Sequence, residues 1–146
     1  MFRISSILTC AALALSLGAA LSGPAAAQAQ SVTVNIPFGF SVNDQNLPAG
    51  TYRISLQAPR NLLFVDTRST KQYLMLVQPT WEQNSKDWGR LIFRRYGGSH
   101  YLYQVWMSGQ GEGRQFVRSR AEQETLRGLK TSSLAYVQLP AGPARQ

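Results

Sequence analysis

The sequence predicts an all-β fold, a single antiparallel small barrel or sandwich of about seven or eight strands with one short helix near the C-terminus. Three observations predict it. Apolar residues recur at every second position over long stretches, which is the period of a half-buried strand. Such runs return about every ten residues, punctuated by Gly, Pro, Asn and Asp. With one cysteine among 146 residues there is no disulfide framework, so the 44% hydrophobic content must supply the core.

The first segment reads as a leader. Arg3 gives a positive start, Ile4 to Leu21 is uncharged and rich in Ala and Leu, and Pro24 precedes Ala25-Ala26-Ala27. Residues 1–29 are therefore expected to be a signal peptide cleaved after Ala27 or Ala29. The competing reading is a membrane anchor, but Ser, Gly and Pro dilute the apolar run. Cys10 falls within this segment, and Thr9 before it does not suit a lipoprotein signal. Residues 30–140 are then the β domain and 141–146 a flexible tail. The expected location is the periplasm or the extracellular space, with no transmembrane segment in the mature chain.

From Ser31 the alternation is strict: Val32, Val34, Ile36, Phe38, Phe40 and Val42 share one parity. Pro37 cannot donate to a ladder, so this strand is expected at an edge or bent there, with Gly39 as a bulge candidate. Asn43 to Asn46 is a polar turn, Pro48 and Gly50 form a second, and Tyr52, Ile54 and Leu56 resume the alternation. Further strands are expected at Leu62–Thr67, Gln72–Gln78, Arg90–Tyr96, Tyr101–Met107 and Leu134–Leu139, with residues 79–89 and 108–115 as longer loops. Gly97-Gly98 between two aromatic and β-branched runs marks a tight hairpin. Ser119-Arg120-Ala121-Glu122 fits a capping box, predicting a helix over about Arg120 to Arg127 that Gly128 ends and Leu126 anchors.

The charge is lopsided: 15 Lys and Arg against 7 Asp and Glu, a net +8. The cations are spread over many strands and no RNA-binding aromatic signature is present, so nucleic acid is not the expected partner. An exported basic protein meets anionic polysaccharide or lipid headgroups instead. An outer-membrane barrel is the rival, but Arg53 and Arg94 would face lipid and the C-terminus lacks a terminal aromatic.

Little in the chain points to catalysis. His100 is the sole imidazole, which leaves no pair of histidines for a metal site, and Ser99 beside it would point to the opposite face of a strand. Glu122 and Glu124 would not share a helix face. Glu82 and Asp87 lie in one loop, where solvation is the plain expectation. Ser108 to Gly113 is glycine-rich but lacks the Lys-Ser/Thr ending of a phosphate loop. The expectation is no enzyme, no cofactor and no metal.

The hairpin around Gly97-Gly98 carries the most information. Strict alternation places Leu91, Phe93, Leu102 and Trp106 on one face with Arg95, His100 and Gln104; the other face carries Arg90, Ile92, Arg94, Tyr96, Tyr101, Tyr103 and Val105. On that second face Arg90, Arg94, Tyr96, Tyr101 and Tyr103 are the candidate binding residues, with arginine forks for charge and tyrosine rings for stacking. The plainer reading is a solvated outer face whose long side chains cover the sheet. Trp81 and Trp88 bracket a loop as either an aromatic platform or packing lids.

Taken in order, Asn35-Ile-Pro-Phe-Gly-Phe40, Leu47-Pro-Ala-Gly-Thr-Tyr52, Phe93-Arg-Arg-Tyr-Gly97, Tyr103-Gln-Val-Trp106 and Ser119-Arg-Ala-Glu122 resemble a family of small exported bacterial proteins of unknown function. The resemblance implies a signal peptide and a β-rich domain, and carries no activity, cofactor or site. Gly39 stands where such relatives often have Asp. Two functions are thus expected in competition: a non-enzymatic binding or structural module of the cell envelope, and a lipocalin-like carrier with an apolar pocket lined from Phe38, Phe40, Tyr52 or Trp106.

Overall fold

Strict alternation from Ser31 does make a strand, and the chain then folds as a succession of short ladders. The computed structural model describes residues 30–83, 88–109, 111–129 and 134–143; the expected leader, residues 1–29, lies outside them. In order, the elements are β1 (Ser31–Ile36), β2 (Phe40–Val42), β3 (Gln45–Leu47), β4 (Gly50–Ala58), β5 (Asn61–Asp66), β6 (Gln72–Leu76), β7 (Gln78–Trp81), β8 (Gly89–Tyr96), β9 (Ser99–Trp106), β10 (Glu112–Gln115), α1 (Arg120–Gly128) and β11 (Leu134–Pro143).

The class is all-β with one short helix, but eleven strands are present among the described residues, not seven or eight. The surplus has local causes. The first alternating run breaks between Ile36 and Phe40, where Pro37 lacks an N–H, and becomes β1 and β2. The 72–78 run breaks at Val77 into β6 and β7. Asn43 and Asp44 take positive φ, 46° and 62°, and close a two-residue hairpin that creates β3. In β10, Glu-Gly-Arg-Gln has no apolar alternation at all; it is a strand because its backbone lies between β7 and β9.

One curled, half-barrel sheet results, with strand order β3-β2-β9-β8-β11-β1-β4-β5-β6 and β10 joining β9 to β7. The pairs are antiparallel apart from a single parallel contact between β2 and β9 at Ser41 and Tyr101. β11 makes the curl possible: Leu134 to Ala141 run along β8, then Gly142 and Pro143 pair with Thr33 and Val32 of β1. The strand thus extends into the segment expected to be a tail.

Inside the curl, Val34, Ile36, Tyr52, Ile54, Leu62, Phe64, Leu91, Phe93, Val105 and Phe116 are buried in one cluster. The aromatic residues proposed as pocket lining instead pack on one another. Phe40 meets Tyr52 and Phe93 edge-on, both at 5.5 Å, and Phe38 meets Phe93 edge-on at 5.2 Å. Tyr52 also donates to Pro48 O at 2.7 Å, and burial, ahead of the nearby Asp66 charge, pushes its hydroxyl up to about 12. Trp106 is not part of this cluster.

Candidate functional site

The β8–β9 hairpin is where face assignment decides function. Tyr96 pairs with Ser99 across Gly97-Gly98, and Gly97 alone of the two has positive φ, 58°, as a type II′ turn requires. Near the turn the expected faces hold: Phe93 opposes Leu102 in the core, and Arg94 opposes Tyr101 outside. The register then shifts between Ile92 and Phe93, with Tyr103 as the extra residue of a β-bulge. Beyond a one-residue insertion every side chain changes face. Val105 therefore sits in the core opposite Leu91, while Trp106 lies opposite Arg90 on the outer face, the reverse of strict alternation.

The outer face so assembled is not open. α1 lies across it, and Glu122 points into the sheet with 2% of its side chain exposed. Arg94 Nη2 donates to Glu122 Oε2 at 3.0 Å, and Nε lies 2.8 Å from Oε1, close enough to attract but off line for a hydrogen bond. The Tyr96 hydroxyl donates to Oε1 at 3.0 Å, and Arg118 Nε stands 3.8 Å away. Burial and this bond raise the Tyr96 pKa above its usual value of 10.0. Thr125 donates to Ala121 O, so the Tyr101 hydroxyl, 2.6 Å from Thr125 Oγ1, is the donor in that contact.

The capping box is half formed. Ser119 accepts from Glu122 N at 3.2 Å, as its N-cap position requires, but the Glu122 carboxylate goes to β8 and does not reach back. Asp44, from the β2–β3 turn, accepts from Ala121 N at 2.9 Å and supplies the second cap. That bond, first among the causes, holds its carboxyl below the ordinary 3.8. An ion pair and a distant aspartate anchor the helix; Leu126 is only half-buried.

The five candidate residues thus separate. Arg90 is buried, stacked 4.7 Å over the Trp106 ring and paired with Glu82. Arg94, Tyr96 and Tyr101 are buried beneath α1. The Arg94 guanidinium also lies 4.4 Å over the Tyr103 ring. Tyr103 alone remains half-exposed, and Tyr136 of β11 joins it at 6.1 Å with 58% of its surface in solvent. The expected continuous Arg/Tyr surface is reduced to this two-ring remnant, because α1 covers Arg94, Tyr96 and Tyr101 while Trp106 and Glu82 engage Arg90.

His100 stacks on Phe38 at 3.9 Å, and burial, then the Arg95 charge, lowers its pKa below 6.5. Ser99 beside it is exposed at the turn. In the glycine-rich stretch, Gly113 packs directly on the Trp106 indole within β10. Trp81 and Trp88 are both exposed, and Asp87 lies outside the described residues. No group of three His, Cys, Asp or Glu placed to hold a metal occurs among the described residues, nor does a helix long and apolar enough to cross a membrane.

Charge is distributed in a pattern that the sequence does not display. Each described carboxylate has a partner within the fold: Glu82 has Arg90, Glu112 has Arg114, Glu122 has Arg94, and Glu124 has Arg120. Asp44 accepts from α1, and Asp66 accepts from Arg68 N and the Ser69 hydroxyl within its own turn. Among the described residues, Arg60, Arg68, Lys71, Arg95 and Arg127 are exposed and form no ion pair, although the Arg68 charge helps to lower the pKa of Asp66 in its own turn. A second feature missed by periodicity is an open groove beside β6, rimmed by Leu74, Leu76 and Val117.

The chain matches no protein-family profile, no curated protein and no solved structure. The residues that carry the motif resemblance have visible structural roles: Phe38, Phe40, Tyr52 and Phe93 form the aromatic cluster, and Ser119 and Glu122 dock the helix.

Proposed function

We propose that this chain is an exported, non-enzymatic β-domain that acts as a binding or structural module of the cell envelope, held to anionic surfaces by exposed arginine and lysine. The observation that carries this reading is the charge arrangement: the described carboxylates are engaged inside the fold, while Arg60, Lys71, Arg95 and Arg127 face solvent without one and Arg68 is exposed beside Asp66 without an ion pair. A polyanion is the partner that such uncompensated cations attract. Arg90 and Arg94 serve the fold, and Tyr136, backed by Tyr103, is the ring available to a sugar. The mutual packing of Phe38, Phe40, Tyr52 and Phe93 favours this surface reading over a carrier with an apolar pocket.

The test is retention of the protein on immobilised polygalacturonate and on phosphatidylglycerol vesicles, with dextran and phosphatidylcholine as neutral partners. The two anionic arms separate a polysaccharide from a lipid source. Retention that salt reverses on at least one anionic arm, and that falls in Arg68→Ser/Lys71→Ser, is expected. Equal retention on the neutral partners, or none on either anionic arm, would overturn the reading.

A further inference from the structure

The strand order ends at β3 on one side and at β6 on the other. Between these two edges lies an open groove of about 750 Å³ whose lining includes Asn43, Gln45, Arg60, Leu74, Leu76 and Val117. The ladder between β5 and β6 fixes which way the backbone groups of β6 point. Val77 N–H donates to Arg60 O and Asp66 N–H to Lys71 O, both at 2.9 Å, so bonded pairs fall at Met75 and Tyr73 in between. The N–H and C=O groups of Gln72, Leu74 and Leu76 consequently turn away from β5, and Leu74 and Leu76 line the groove.

Natural sheet edges are blunted by charge, proline or a bulge. Gln72–Leu76 reads Gln-Tyr-Leu-Met-Leu and contains none of these. Its outward side chains are apolar and open, with Leu74 62% and Leu76 73% exposed, and Val117 is exposed across the groove. One edge group already has a substitute for a neighbouring strand: the Asn43 side-chain amide donates to Leu76 O at 3.1 Å. Arg60 is the one charged residue in the lining.

We infer that β6 accepts an extended peptide segment of another protein as an added strand, with alternate apolar residues seated on Leu74 and Leu76 and an acidic residue reaching Arg60. Main-chain hydrogen bonds supply affinity in this mode, and alternate side chains supply selection. The charge argues for an acidic partner and against a second copy. In a two-fold pairing centred on Leu74, Lys71 of one copy lies opposite Val77 of the other and so beside Arg60, whose carbonyl Val77 holds. Like charges would meet at both ends.

The experiment is fluorescence anisotropy with a labelled Thr-Val-Thr-Val-Thr-Val-Asp peptide and its lysine-ended counterpart. Saturable binding that favours the aspartate peptide is expected. Leu74→Pro removes an N–H that turns away from β5 and leaves the bonds to β5 in place, so affinity falls about tenfold while melting stays cooperative. Should that variant not fold, Leu76→Lys serves, since its side chain is already in solvent. Arg60→Glu reverses the preference between the two peptides. No binding, unchanged affinity in the folded edge variant, or an unchanged preference in Arg60→Glu overturns the inference. A concentration-dependent dimer abolished by the edge variant also overturns it, because the occupant is then a second copy.

Discussion

Arg94 and Glu122 form an ion pair that ties β8 to α1 across 28 positions of sequence, with side chains only 7% and 2% exposed. Two charges withdrawn from water this far are tolerated only while each satisfies the other. Arg94→Met alone is therefore expected to cost about 3–5 kcal/mol, because it leaves a buried carboxylate without its main partner. The joint change Arg94→Met/Glu122→Leu is expected to recover most of that loss. Urea denaturation of the three proteins checks this; equal losses in the single and double variants would show that the pair is not what docks the helix.

Stability should fall on the acid side in two stages. The fold holds His100 neutral, so the unfolded chain takes up that proton first; the contribution is complete above about 6.5 and is lost as pH falls through the lower folded value. Asp44 and Asp66 are also held below 3.8, so their contributions are present above that value and disappear as pH falls through their folded values. Tyr52 acts at the other extreme: with its pKa raised from 10.0 to about 12, its contribution is present below 10.0 and lost as pH rises toward 12. Urea midpoints across pH should show these losses, and His100→Phe, which keeps a ring on Phe38, should remove the first of the acid stages.

The Tyr103 bulge makes a prediction opposite to that of strict alternation. Val105 faces the core, so Val105→Asp should abolish cooperative unfolding by burying a charge beside Leu91. Gln104 pairs with Ile92 on the outer side, where it donates to Gln115 and accepts from Trp106 Nε1, so Gln104→Asp should cost only those bonds, about 1–2 kcal/mol, and leave unfolding cooperative. Thermal melts of the two variants check the assignment.

Gly113 is required by contact. A Cβ there would lie 2.7–2.9 Å from the Trp106 indole, nearer than packed atoms approach. Gly113→Ala should destabilise by about 1–3 kcal/mol, and Gly98→Ala, which meets nothing within 4 Å, much less. Combining Gly113→Ala with Trp106→Leu should recover part of the loss, as a calorimetric comparison would show.

Local patterns carried the strands but not their closure. The alternation from Val32, the Gly97-Gly98 hairpin and the Ser119 cap were legible because each depends on neighbours in sequence. β10 was not, since nothing in Glu-Gly-Arg-Gln marks a strand until β7 and β9 flank it. The bulge was invisible for a related reason: Tyr103 is an ordinary strand residue, and only the pairing shows that it has no partner. The largest misreading concerned Glu122. Its place in a capping box predicts a carboxylate that reaches back to its own helix start, whereas a tertiary contact with Arg94 and Tyr96 claims that carboxylate and buries the face expected to be open.

The division of arginines into those that hold the fold and those that meet a partner is tested most directly by measuring stability and polygalacturonate affinity together in two variants. Arg94→Gln should lower the melting temperature and leave affinity unchanged at temperatures where the protein is folded. Arg68→Ser/Lys71→Ser should leave the melting temperature within a few degrees and weaken binding several-fold, on the order of the loss of two phosphate-like or carboxylate contacts. Weakened binding in folded Arg94→Gln, with none in the surface variant, would contradict the account.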